Sequence, residues 1–346
     1  MARVDGRAEI QHYVPRLLLR GFLRDPQEKE QICVFDKHKD RSFHTNIKNI
    51  AAEREFYNFD VDGMHGDVEG ILSKLESNTK SAFEKLIEAE SLATLDDVQK
   101  SWLSVFLATQ QLRTRHFREV IKALNEGMAE HIRSQGFDPR ETKGFELIET
   151  EDDLKRASLA QLALSIGPHS TLMAKKACFL ATTSPDRPFW ISDHPVVMHN
   201  YREFGPYGNI GLAVPGIQIY LPLTATLLLA LWCTTNADTL YENVEHAKRE
   251  RKELSVMRIL GRNVDRDEIE RQLDKWKAIV DYGEPLIEAL TNGSAIQATA
   301  ENVTFYNHLQ VSWSHRYLIS PNNDFALARK MIYDNPKYRG GLMPTF

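Results

Sequence analysis

The stretch Gln11-His12-Tyr13-Val14-Pro15-Arg16-Leu17-Leu18-Leu19-Arg20-Gly21-Phe22 sets an amide, an imidazole and two guanidinium groups beside a proline-fixed bend, just where the chain turns apolar. A histidine there can serve as acid, base or metal ligand, because an imidazole titrates near neutrality. The alternative is a hydrogen-bonded histidine that staples the amino terminus to the core. Arg16 and Arg20 are four residues apart, so a helix starting near Pro15 puts both on one face, where they could cradle an anion. Two structural salt bridges are the plainer reading, and the one favoured for Arg20.

A second cluster runs from Phe106 to His116. Phe106 and Leu107 should face the core, with Gln110 and Arg113 three apart on a neighbouring face. A buried guanidinium must be paired internally, so this pair is either a structural network or the floor of a polar pocket. Glu76, on the preceding helix, is the partner expected for Arg113 if the two helices form an antiparallel hairpin. The third cluster is the strand end Phe189-Trp190-Ile191-Ser192-Asp193-His194-Pro195. Asp193 there could be a general base, a metal ligand or the orienter of a histidine. It could equally be the carboxylate of an Asx-type turn, bonded to backbone amides. Ser192, Asp193 and His194 are adjacent and cannot all point one way from a strand, so they form no serine-hydrolase triad. A fourth set is Asn307-His308-Leu309-Gln310 with Ser312, His315 and Arg316, for which a satisfied polar face packed on another helix is the more ordinary account. Asn307 shares a helical face with Gln310, and Ser312 with Arg316, by spacing.

The elements that must position these groups are partly visible. Gln31–Asp36 reads as a strand followed by a polar turn at residues 37–41, whereas residues 49–57 fit a helical turn and a strand equally well. From Asp67 the apolar residues Val68, Ile71, Leu72, Leu75, Phe83, Leu86 and Ile87 recur at helical spacing. A long helix, straight or bent, should run from about Asp97 to Ser134, entered through Thr94 to Asp97. Another spans Asp152 to Ile166, where Gly167-Pro168 ends or kinks it. Residues 178–198 alternate in polarity around Pro185-Asp186-Arg187-Pro188 and are expected to form a β-hairpin. The stretch Ile217 to Cys233 is interrupted by Pro222, Thr224 and Thr226, so it reads as two buried strands and not as a membrane span. Charged helices follow over residues 237–290, with at least one more helix between Thr299 and Tyr333. Segregated runs of helix and strand imply an α+β fold with a mainly antiparallel sheet. One large domain over residues 1–346 is expected, with a helical part at about 67–166, a sheet part at about 177–233 and carboxy-terminal helices at about 237–333.

A net charge of −5 provides no general attraction to nucleic acid or anionic membrane. A nucleic-acid partner would need a local basic face; the run His246 to Lys252 is one candidate, though such runs more often solvate a helix. Homo-oligomerisation stays open. The three cysteines, Cys33, Cys178 and Cys233, form no CxxC pair and suit a reducing cytoplasm. Charges at Arg3, Asp5 and Arg7 argue against a signal peptide. Nucleotide-loop, HExxH, EF-hand and zinc-finger spacings are all missing, so the sequence names no cofactor and any metal site must be assembled from distant segments.

Taken together, Gln11 to Phe22, Asn49 to Tyr57, Gln110 to Thr114 and Ser192 to Pro195 resemble a widespread bacterial family of unknown function. Its members carry Q-H-Y-V-P followed by L-R-x-F, then N-I-A-x-E-x-x-F-Y, Q-x-x-R-T and S-D-x-P. Pro222-Leu223-Thr224 and the helix from Asn307 to Arg316 extend the resemblance to most of the chain, with His194 where the family more often has Asn. The resemblance implies one shared architecture and no established activity. The residues themselves point to an enzyme whose pocket gathers His12, Arg16, Gln110, Arg113 and Asp193, with Glu76 and Asn307 beside them. Hydrolysis or transfer at a phosphoryl-containing substrate, nucleic acid included, is the expected chemistry: the arginines neutralise charge, and His12 with Asp193 handles protons or a divalent ion. The rival is a non-catalytic binding or interaction module, in a defence or toxin setting, whose same residues form a buried network.

Overall fold

The computed structural model describes residues 10–343, apart from positions 26, 28, 58–59, 62–63, 66–67, 206–207 and 261–264. Arg3, Asp5 and Arg7 lie outside the described residues. In chain order the strands are β1 (Ile10–His12), β2 (Gln31–Asp36), β3 (Arg41–Asn46), β4 (Ala52–Arg54), β5 (Asp60–Val61), β6 (Met64–His65), β7 (Ala177–Thr182), β8 (Ile191–Ser192), β9 (Val197–His199), β10 (Gln218–Pro222), β11 (Leu227–Trp232), β12 (Ala295–Gln297) and β13 (Tyr317–Ser320). The helices are α1 (Arg16–Leu19), α2 (Val68–Ala89), α3 (Asp97–Leu112), α4 (Arg115–Ser134), α5 (Glu151–Ala174), α6 (Thr234–Leu260), α7 (Arg266–Asn292), α8 (Ala300–Trp313) and α9 (Ala326–Asp334). The fold is α+β. Its pairings are antiparallel except for β12 beside β7.

Two sheets carry the architecture: a five-stranded one ordered β12-β7-β11-β10-β9 and a four-stranded one ordered β3-β2-β13-β8. The run Leu227 to Leu231 is apolar at every position because both faces of its sheet are covered. Leu227, Leu229 and Leu231 pack with residues of α1, α2, α3 and α5, whereas Leu228 and Ala230 pack with Leu286 and Ala289 of α7 and Val303, Tyr306 and Leu309 of α8. The four-stranded sheet divides the same way: Ile32, Val34 and Ile319 face the first core, and Cys33, Phe35 and Leu318 face Phe325, Ala328 and Ile332 in and beside α9.

Four expectations change. Residues 178–198 form no hairpin: β7 pairs with β11 and β12, β8 with β13, and β9 with β10. Pro185, Pro188 and Pro195 lack the amides a hairpin ladder needs, and each short strand finds a distant partner instead. The helix expected over residues 97–134 is two helices, because the Thr114 hydroxyl accepts from Phe117 N and starts α4 afresh. Conversely, α5 runs through Pro168 to Ala174. Leu164 and Pro168 are both exposed, so the carbonyl that loses its donor lies on the water side of the helix. Finally, α8 stops at Trp313 with Ser314 as its C-cap, which places Arg316 outside the helix and breaks the expected face with Ser312. Residues 49–57 resolve into the end of a 3-10 turn followed by β4.

Candidate functional site

Pro15, with φ of −66°, caps α1, and Tyr13 N and Val14 N both donate to Ala51 O at 3.0 and 3.4 Å. The bend is thereby clamped, and His12 is left half-buried in front of it. His12 Nε2 lies 3.2 Å from Ile47 O. A carbonyl can only accept, so the neutral ring carries its proton on Nε2 and keeps a lone pair on Nδ1. Burial lowers the His12 pKa, as do the charges of Arg16 and Arg113, against the Ile47 bond and the Glu76 carboxylate. The imidazole is therefore a neutral base at pH 7.

Arg16 and Arg20 do share a face, and what they hold is Glu30: Arg16 Nη2 donates to Oε2 at 2.9 Å and Arg20 Nε to Oε1 at 3.1 Å. Arg16 Nε is buried without a hydrogen-bond partner among the described residues. Arg113, at the end of α3, is almost completely buried. Its Nε donates to Gln110 Oε1 at 2.8 Å and its Nη1 to Glu76 Oε1 at 3.0 Å, while Nη2 is buried without a hydrogen-bond partner among the described residues. Gln110 Nε2 in turn donates to Tyr13 O at 2.9 Å. Tyr57 closes the group from above, its hydroxyl lying 3.3 Å from Arg113 O and 3.4 Å from His12 O, and its amide donating to Gln11 Oε1 at 2.6 Å. His12, Arg16, Glu76, Gln110 and Arg113 therefore form one neighbourhood.

Asp193 belongs to another. It is fully buried, and its carboxylate accepts from His315 N, Arg316 N and Tyr317 N at 2.9, 2.8 and 2.9 Å, which fixes the entry into β13. No hydrogen bond or ion pair joins it to His12 among the described residues. Burial pushes its carboxyl pKa up, against those three amides and the Lys37 charge. Around it, Ser192 Oγ donates to Gln310 Oε1 at 2.7 Å and Gln310 Nε2 to Pro195 O at 3.0 Å. Asn307 spans Trp190 N and Pro188 O at 2.8 and 3.0 Å. The polar face of α8 thus holds the strand end β8 in place. The two neighbourhoods meet at the α3–α4 junction, where Arg113 serves the first and Thr114, 2.6 Å from His194 Nδ1, serves the second.

A family profile described as protein of unknown function (DUF4238) matches residues 10–324. The chain belongs to the DUF4238 family. No curated protein and no solved structure matches it.

This DUF4238 chain also buries groups that spacing did not single out. Lys37, read from the sequence as part of a polar turn, is fully buried and its Nζ donates to Val311 O at 2.8 Å, Ser314 O at 2.6 Å and Tyr338 O at 2.5 Å. Burial brings its pKa down to about 7. His116 is buried with neither ring nitrogen hydrogen-bonded among the described residues, its centroid 4.7 Å from that of His194, which stacks on Trp313. Burial takes His194 down to about 3 and His116 well below the ordinary range. Only the partners of Lys37, 274 to 301 residues away, reveal its role, so no local pattern could have shown it. Among the described residues, no three His, Cys, Asp or Glu side chains are arranged to hold a metal ion. No helix among them is long and apolar enough to cross a membrane.

Proposed function

We propose that this chain is a cytoplasmic hydrolase or transferase acting on a phosphoryl-containing substrate, nuclease chemistry included, at the site of His12, Arg16 and Arg113. One observation carries the reading: among the described residues Arg16 Nε and Arg113 Nη2 are buried donors without acceptors, His12 Nδ1 makes no hydrogen bond, and both guanidinium charges act on that imidazole. An unpaired buried donor is costly, and the oxygens of a bound phosphoryl group would satisfy both. In this scheme Nδ1 takes a proton from water, the oxygen adds to phosphorus, and the phosphorus–oxygen bond to the leaving group breaks. The departing oxygen is protonated by solvent, and His12 returns its proton there too. The guanidinium groups meet the charge on the equatorial oxygens. Gln110 and Glu76 are positioning residues that hold Arg113, and Asp193 is one that holds β13. The segments Gln11 to Pro15 and Ser192 to Pro195 would then be family signatures for a site and its scaffold.

Hydrolysis of bis(p-nitrophenyl) phosphate and of labelled oligonucleotides, with and without divalent ions, tests this. His12→Ala should lower turnover by about 10²–10⁴-fold while leaving the urea midpoint nearly unchanged. Arg113→Lys should weaken binding, since a point charge cannot replace the fork. Wild-type protein that neither binds nor turns over these probes would overturn the proposal, as would full activity in His12→Ala. A second reading, the non-catalytic interaction module, is favoured by the saturation of Asp193, Gln110, Asn307 and Gln310 with partners inside the protein. In that case substitutions at these positions change stability alone.

A further inference from the structure

Away from His12, a cavity of about 730 Å³ opens between β9, the loop after it, α8 and the segment following α9. Its volume lies in the range of small-molecule sites, roughly 300–1,000 Å³. The side of α8 facing the cavity contributes Glu301, Phe305, His308 and Trp313 to its wall. His199 stands opposite, its ring edge-on to Phe305 at 5.1 Å, and Tyr338 closes the far side edge-on to His308 at 5.9 Å. These rings are held from behind. Trp313 Nε1 donates to Met198 O at 2.8 Å, and the segment bearing Tyr338 is tied down by Lys37 Nζ on Tyr338 O and by Leu342 N on Ser312 O. The wall is thus preorganised, which spares a ligand the cost of ordering it.

Charge and hydrogen bonding narrow what would fit. Glu301 is the one charged side chain among the described residues lining the cavity, and neither lysine nor arginine lines it. His199 and His308 are kept neutral by burial at physiological pH. Among the described residues the His199 ring has no hydrogen-bond partner, so a neutral imidazole on the cavity lining keeps one donor and one acceptor free. Aromatic walls favour a flat π-system, the carboxylate disfavours an anion, and His199 favours an edge bearing both donor and acceptor.

We infer that this cavity is a binding site for a planar aromatic heterocycle that carries no negative charge and pairs by one edge with His199. The site is separate from the phosphoryl site and does not depend on it.

Isothermal titration of the full-length protein with adenine, and with purine-6-carboxylate as the same bicycle bearing an anion, tests the assignment. Adenine should bind saturably with one-to-one stoichiometry, and purine-6-carboxylate at least tenfold more weakly. His199→Ala should weaken adenine at least tenfold, as should Thr304→Phe, which fills the cavity from an exposed position on α8. Arg113→Lys should leave the affinity unchanged, which separates this site from the phosphoryl site. The inference fails if adenine produces no saturable heat up to its solubility limit, if purine-6-carboxylate binds as tightly, or if adenine binds His199→Ala and Thr304→Phe proteins as it binds the wild type.

Discussion

Both carboxylate oxygens of Asp193 are occupied by backbone amides of the segment entering β13, one by His315 N and the other by Arg316 N and Tyr317 N. Truncation to Ala would strand three donors in a site that water does not reach. Asp193→Ala should therefore cost about 3–5 kcal/mol, the scale on which a buried charged partner is missed. Asp193→Asn keeps one oxygen acceptor but turns an NH₂ toward an amide N–H, so a cost of about 1–3 kcal/mol is expected. Urea midpoints of the two variants against wild type measure both. A midpoint unmoved by Asp193→Ala, with activity abolished, would return Asp193 to the reacting groups. From sequence, Asp193 could be assigned to a strand end, and the choice between a catalytic carboxylate and an amide-bonded one stayed open, because its partners lie more than 120 residues away. Glu76 was the opposite case. Two neighbouring helices and one buried arginine were enough to name the Arg113 partner, which the ion pair at 3.0 Å matches.

At the scale of elements, helices were legible because their signals are local. Apolar spacing marked α2, and Thr114 supplies a cap that was visible in the sequence yet lay inside a pattern long enough to read as one helix. Strand partners were not legible: β2 pairs with β13 across nearly the whole chain, and β8 is two residues long. The 3-10 turn at Arg20–Phe22 shows how tightly such distant pieces meet. Gly21 O accepts from Ala225 N at 2.9 Å, and a Cβ on Gly21 would sit 2.4 Å from Leu223 O and 2.9 Å from Thr224 Cα. Both obstacles are backbone and cannot rotate away. Gly21→Ala should cost about 1–3 kcal/mol by overpacking. Gly167→Ala, on an exposed turn of α5 where a Cβ would meet nothing within 4 Å beyond the adjoining helix backbone, should instead stabilise by about 1 kcal/mol through helix propensity. Denaturation midpoints of the pair decide whether the close approach or a general intolerance of glycine replacement governs; equal shifts of the same sign would rule out the close approach.

Over the whole molecule, the imidazoles near the junction of the two neighbourhoods make stability depend on acidity. Burial lowers the pKa of His12, His38, His116 and His315, and takes His194 to about 3. In the unfolded chain these rings bind protons below about pH 6.5, whereas the native fold holds them off to lower pH. The unfolded state then holds more protons, so stability is present above that value and is lost as pH falls below it. Asp36, depressed by Arg316 and backbone amides against its burial, adds to the loss below its unfolded value; Asp193 and Glu53, raised by burial, oppose it between their unfolded values and their higher native ones. Five imidazoles stand against these two carboxyls, and their unfolded values lie at higher pH. Lys37, with a native pKa of about 7, extends the slope upward: between about 7 and its unfolded value the unfolded chain again holds the extra proton, so stability keeps rising. Urea midpoints should therefore fall from pH 7.5 to pH 5.5 and rise from pH 7.5 to pH 9. His194→Gln, which can still bond the Thr114 hydroxyl, should flatten the acid limb without changing the alkaline one. A midpoint that holds steady down to pH 5.5 would mean that these rings are solvated in the folded chain, and that the buried cluster around His116 is not sealed.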